Sequence, residues 1–209
     1  MLQLLLRGIS RYYFALFSIY EVSMAKQVCC LFLGLFFLNS CSHRLEKAEY
    51  IQWVNSYDNG LHVKKDYGDF VFDLQHEPTD YHSLVRNDGY TTKEDDLQYY
   101  ILKIGLKDPT QDLILHNVND VAGKQQNLYY YSYLFQNDIF LEEASGELPC
   151  VLFHFEQNDL LKTRTFILGF ENPRTEYAEE SKLIIQSPQF GSLPVKIQIL
   201  KHNIPSLKL

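Results

Sequence analysis

The chain has little of what nucleic-acid-binding, membrane-spanning or disulfide-built proteins depend on. Positive charge is scarce: 19 Lys and Arg stand against 26 Asp and Glu, for a net charge of −7. Binding a phosphate backbone needs a basic stripe that releases counterions, and no such stripe is present, so nucleic acid is excluded as a default partner. Long apolar runs are missing as well. The run Val28 to Leu38 has eleven residues, against the roughly 20 that a spanning helix needs. There is no glycine-rich phosphate loop, no Gly-x-Ser-x-Gly elbow and no His-Glu-x-x-His helix. A triad assembled from distant strands leaves no local trace, so these absences lower the expectation of an enzyme without removing it. No internal repeat or low-complexity tract interrupts the chain. Apolar residues are plentiful: 46% of the chain is hydrophobic, enough to offset the entropy of ordering one core and to exclude disorder.

The cationic and hydrophobic excess sits at the amino terminus. The first forty residues hold Arg7, Arg11 and Lys26 against Glu21 alone, which leaves 16 Lys and Arg and 25 Asp and Glu in the remaining 169 residues, a charge of −9. From Met24 the chain reads Met-Ala-Lys-Gln, then the apolar run Val28 to Leu38, then Asn39-Ser40-Cys41. A short cationic start, an apolar run of about 7–15 residues and a small residue before the cut describe a signal peptide. Residues 1–40 are therefore read as a leader, with translation starting either at Met24 or, through an unusually long leader, at Met1.

The tetrad Leu38-Asn39-Ser40-Cys41 resembles the lipobox of bacterial membrane lipoproteins, with Leu, a permissive middle position, a small residue and Cys. The resemblance covers about Met24 to Cys41. It implies cleavage before Cys41, diacylglycerol on the Cys41 sulfur, and acylation of the new amino terminus by a fatty acid such as palmitate. Ser42 after the Cys is not the Asp that marks inner-membrane retention in the enterobacterial pattern, so the resemblance implies the outer membrane. With Cys29 and Cys30 lost in the leader and Cys41 committed to lipid, Cys150 has no partner for a disulfide. It reads as a core thiol rather than a nucleophile.

The body is expected to be mainly β: an antiparallel β-sandwich of about eight or nine strands with one or two short helices. Residues 41–56 are read as a lipidated tether or short helix, and 57–209 as the β-sandwich domain. Alternation supports strands at Phe70-Phe72-Leu74 and Val195-Ile197-Ile199, and β-branched or aromatic runs at 97–106, 128–136, 139–143, 150–156, 163–170 and 182–186 extend the set. Asp58-Asn59-Gly60 reads as a turn, Thr79 to Val85 as a helix after Pro78, and Gln111 to Asn117 as a short helical or irregular piece. The strand Val195 to Leu200 is expected at a sheet edge, with Pro205 stopping its extension. In composition the body resembles lipoproteins of the Bacteroidota.

Three sets of residues are candidates for chemistry. On a strand, Tyr129, Tyr131, Tyr133 and Phe135 would share one face, a row suited to stacking on sugar rings or to a protein partner, or else to packing across strands. Strand spacing also places Cys150, Leu152, His154 and Glu156 on one face. His154 and Glu156 are then weak metal candidates, since zinc needs three or four convergent ligands. The acids Glu94-Asp95-Asp96 lack the ligand spacing of a Ca²⁺ loop and read as a solvated turn. No cofactor and no metal is expected. The leading expectation is a membrane-anchored lipoprotein whose body is a non-enzymatic binding or scaffold module in the bacterial envelope, with an envelope protein as partner. A carbohydrate-binding lipoprotein using the Tyr129–Tyr133 face is the first alternative. An envelope hydrolase using His154 is the second.

Overall fold

A computed structural model describes residues 44–86, 96–156, 161–172 and 178–208. Two segments near the start carry too much charge to alternate cleanly, yet both enter the fold. Arg44–Leu45 (β1) is followed by a helix, Lys47–Asn55 (α1). At its start the Glu46 amide donates to the Glu49 carboxylate at 3.3 Å, satisfying one of the helix's orphan donors. Tyr50 and Val54, one turn apart, are fully buried, so α1 is part of the body, the short helix of the expected pair.

The strands His62–Tyr67 (β2) and Phe70–Glu77 (β3) form a hairpin in which Tyr67 faces Phe70. The two-residue turn needs positive φ, which Gly68 supplies at 56°. The helix Thr79–Arg86 (α2) follows, then Leu97–Leu106 (β4). Residues 107–138 hold turns and short helical pieces and no strand. They comprise a 3-10 turn at Leu113–Leu115, the helix Val121–Tyr129 (α3), a π turn at Tyr130–Leu134 and a second 3-10 turn at Phe135–Asp138. The chain then returns to strands: Ile139–Glu143 (β5), Gly146–Glu156 (β6), Arg164–Glu171 (β7), Glu180–Ile185 (β8) and Val195–Leu200 (β9). Ser206–Leu207 (β10) ends the described chain in parallel pairing with β1.

Eight strands form one antiparallel ladder in the order β2-β3-β4-β7-β6-β5-β8-β9, so the molecule is mainly β as expected. The two packed layers of the expectation are the two halves of this ladder. They share β6, which pairs with β5 through Glu147, Leu148 and Pro149 and with β7 from Cys150 onward. The sheet curls until its ends nearly meet in a barrel-like shape. At the seam the Leu200 amide donates to the Gly60 carbonyl at 3.1 Å, and Lys65 Nζ donates to the Lys196 carbonyl at 2.5 Å. Gly60 lies at φ 81°, and a Cβ there would stand 2.8 Å from Leu200 Cβ. The strand β9 ends the ladder, the sheet edge expected of it, and the β2 end of the sheet approaches its free side. Beyond Pro205 the chain leaves the barrel and pairs with β1, where Lys208 Nζ meets Glu46 Oε1 at 2.6 Å.

Apolar side chains from both halves fill the interior. Phe72, Leu102, Phe166 and Phe170 meet Leu141, Leu183 and Ile197 in one core cluster. Among the described residues, no helix is long and apolar enough to cross a membrane.

Candidate functional site

The proposed lipid site, Cys41, with Leu38 and Ser40, lies outside the described residues. So do Glu94 and Asp95 of the acidic run.

The tyrosines occupy helical turns, not a strand, and this redistributes them. Asp120 caps α3 by accepting from the Gly123 amide at 2.7 Å. From there the backbone stays helical through the tyrosines. On a helix, residues four apart are neighbours and residues two apart face different ways. Tyr131 accordingly turns inward and is 2% exposed, while Tyr129 and Tyr133 are 57% and 68% exposed. The outer pair has ring centroids 5.4 Å apart at a 43° tilt. Tyr131 packs edge-on against Phe135 at 5.6 Å, and Phe135 reaches Phe166 at 5.1 Å and Phe190 at 5.8 Å. Tyr130 bonds through its hydroxyl to Asp138 and Ser187, pinning the π turn to the barrel. The expected single face of Tyr129, Tyr131 and Tyr133 is thus corrected to an exposed pair and a core residue. Leu128 and Leu134 extend the exposed pair as an apolar shelf.

On β6, the register slips between Cys150 and Leu152, leaving Val151 as a bulge. Facing it is Gly169, where a Cβ would lie 2.8 Å from Leu152 Cβ. The bulge reverses which face each residue takes. Cys150 turns into the core, and its thiol, held at 3.0 Å from the Leu152 carbonyl, is pushed up by burial to about 12, far from a reactive thiolate. His154 and Glu156 point outward and are exposed. The shared face of Cys150 and His154 expected from simple alternation is therefore absent. No group of three His, Cys, Asp or Glu side chains suited to a metal occurs among the described residues.

Two polar constellations escaped the sequence because their members are far apart in it. At one barrel end, Lys201 Nζ donates to Gln98 Oε1 at 2.6 Å and to Glu143 Oε1 at 2.8 Å, and the Ser181 hydroxyl donates to the same carboxylate oxygen at 2.7 Å. All four are buried. Burial pushes the Lys201 ammonium below its ordinary value, although Glu143 opposes the shift. Beside it His76 is pushed down to about 3, by burial first and then by the Lys201 charge, so the ring is neutral. The adjoining cavity, of about 70 Å³, has room for about two water molecules. The arrangement is a satisfied network, with each charge held by a partner.

The second constellation docks α1. His62 Nε2 bonds Asp73 Oδ1 at 2.6 Å, its Nδ1 bonds the Asn55 carbonyl at 2.8 Å, and the Tyr57 hydroxyl donates to Asp73 Oδ2 at 2.8 Å. Tyr57 stacks on the His62 ring at 4.0 Å. Both ring nitrogens face acceptors, so the ring is fastened on each side and has no lone pair left for base chemistry.

At the helical insert, Arg164 pairs with Asp112 at 2.5 Å, both buried. Asp112 also accepts from the Ile114 amide at 2.9 Å. This pair lines an open cleft together with Lys124, Leu128, Phe155 and Lys162.

With this geometry described, comparison with known families, with curated proteins and with solved structures yields no match.

Proposed function

We propose that the chain is a membrane-anchored lipoprotein of the bacterial envelope, held through Cys41 at the outer membrane, whose β-barrel body is a non-enzymatic binding module for another envelope protein. The observation that carries the reading is the apolar shelf of Leu128, Tyr129, Tyr133 and Leu134. These side chains stay exposed on a segment in which Tyr131 and Phe135 are driven into the core and Tyr130 is half-buried. Exposed apolar side chains with tyrosine tips are the chemistry of protein interfaces. The buried charged groups, by contrast, are paired with one another: Lys201 with Glu143, and Arg164 with Asp112. A hydrolase built on His154 gains no support from that residue's exposed position beside an equally exposed Glu156.

The pair Tyr129 and Tyr133 also supports the carbohydrate reading, because a tyrosine ring face stacks on a sugar. One set of variants addresses both. Tyr129→Ser with Tyr133→Ser in the full chain is expected to leave the melting temperature unchanged and to abolish recovery of a stoichiometric partner from cross-linked membranes. Undiminished recovery would remove the shelf from the account. Glycan-array binding that depends on the same pair would transfer the site to the carbohydrate reading.

A further inference from the structure

The cleft beside the helical insert combines two features that are scarce elsewhere on this acidic chain. It gathers Lys124, Lys162 and Arg164 against a single acid, Asp112, in a protein whose net charge is −7. Arg164 and Asp112 hold each other in the buried floor. Lys124 and Lys162, both exposed, make no ion pair among the described residues, so the accessible charge of the cleft is positive. Two leucines stand exposed among its lining: Leu115 is 46% exposed and Leu128 37% exposed, and Phe155 lines it as well. The Asn127 amide holds this wall in place by donating to the Ile114 carbonyl at 3.0 Å, which ties α3 to the Leu113–Leu115 turn. Exposed leucines beside exposed ammonium groups in one concavity complement a ligand with an anionic head and an aliphatic chain. A neutral apolar ligand would leave the lysines unused. A small inorganic anion would leave the leucines in water.

We infer that this cleft is a binding site for a single-chain alkyl carboxylate, with the head group paired to Lys124 and Lys162 and the chain laid along Leu115 and Leu128. A concave site buries most of its ligand's surface, unlike a flat face resting on bilayer head groups. The site goes beyond the partner shelf and rests on charged residues the shelf lacks, with only Leu128 common to both. It does not depend on the anchor.

The test is photo-crosslinking of the full chain in membranes with a diazirine-bearing dodecanoate, followed by mass-spectrometric mapping. Dodecanol carrying the same diazirine serves as the neutral control. The expected result is labelling concentrated on peptides containing Leu115, Leu128 and Phe155, and about tenfold weaker labelling both with the alcohol and in the Lys124→Glu/Lys162→Glu variant. Both lysines are exposed, so the variant is expected to keep the wild-type melting temperature. Tyr129→Ser/Tyr133→Ser should label normally, so failure of the shelf and failure of the cleft are read separately. Equal labelling by acid and alcohol, labelling unchanged by charge reversal, labelling spread over other surfaces, or no labelling at all would each overturn the inference.

Discussion

His62 on β2 and His76 on β3 are shifted in opposite directions by their surroundings. Burial of His62 disfavours its charged form, but the Asp73 carboxylate and the Asn55 carbonyl outweigh it, with Lys103 opposing, and the ring's pKa is raised above 6.5. Asp73 is correspondingly lowered: its own burial is outweighed by hydrogen bonds from His62 and Tyr57. His76 moves the other way, from 6.5 to about 3. The linkage signs follow directly. The folded state holds the His62 proton more tightly than the unfolded state, so this stabilisation is complete below pH 6.5 and is lost as pH rises through the raised value. The folded state refuses the His76 proton, so that contribution is complete above pH 6.5 and is lost as pH falls toward about 3. Urea-unfolding stability is therefore expected to fall on both sides of neutrality. His62→Gln should flatten the alkaline limb and His76→Gln the acid limb. An alkaline limb of unchanged slope in His62→Gln would refute the assignment of the charged ring.

At the scale of elements, much of the architecture was legible, and the failures have specific causes. Alternation in β3, β7 and β9 located strands because each keeps one face in the core: Phe166, Leu168 and Phe170 are fully buried, as are Val195 and Ile199. The helix α2 was legible from its local sequence, while α1 was one of two readings left open for residues 41–56. The strand β2 was not, because His-Val-Lys-Lys-Asp-Tyr at the sheet's end has no fully buried face to alternate. The run Leu128 to Gln136 misled in the opposite sense. Its aromatic residues favour strands, but the Asp120 cap and the helix-forming Ala122, Lys124, Gln125 and Gln126 start a helix that propagates into it. Tertiary packing then decides which ring goes inside. Tyr131→Ala should cost about 3–5 kcal/mol, as for other large buried rings, whereas Tyr133→Ala should change stability by less than about 0.5 kcal/mol. Equal effects in urea titrations would contradict the helical phase. The bulge at Val151 was illegible for a simpler reason: a one-residue register slip leaves no composition signature, and only the facing Gly169 hints at the close approach.

At the scale of the molecule, the sites depend on contacts that sequence proximity cannot supply. Lys201 and Gln98 are 103 residues apart, and Lys201 and Glu143 are 58 apart. Curling the sheet brings these strand ends together, so the network forms only once the barrel does. The same closure pairs β1 with β10 and places the entry and exit of the body side by side. In the proposed anchored form, three peptide steps, about 10 Å at full extension, separate Cys41 from Arg44. Several acyl chains, at roughly 0.8 kcal/mol per buried CH₂, suffice for stable anchoring. The most direct test of this account is the intact mass of the mature protein extracted from membranes. The account predicts a chain beginning at Cys41 and carrying diacylglycerol with or without a third acyl group, and its loss from the membrane fraction in Cys41→Ser. An unprocessed chain, or a mature chain with an unmodified Cys41, would contradict it.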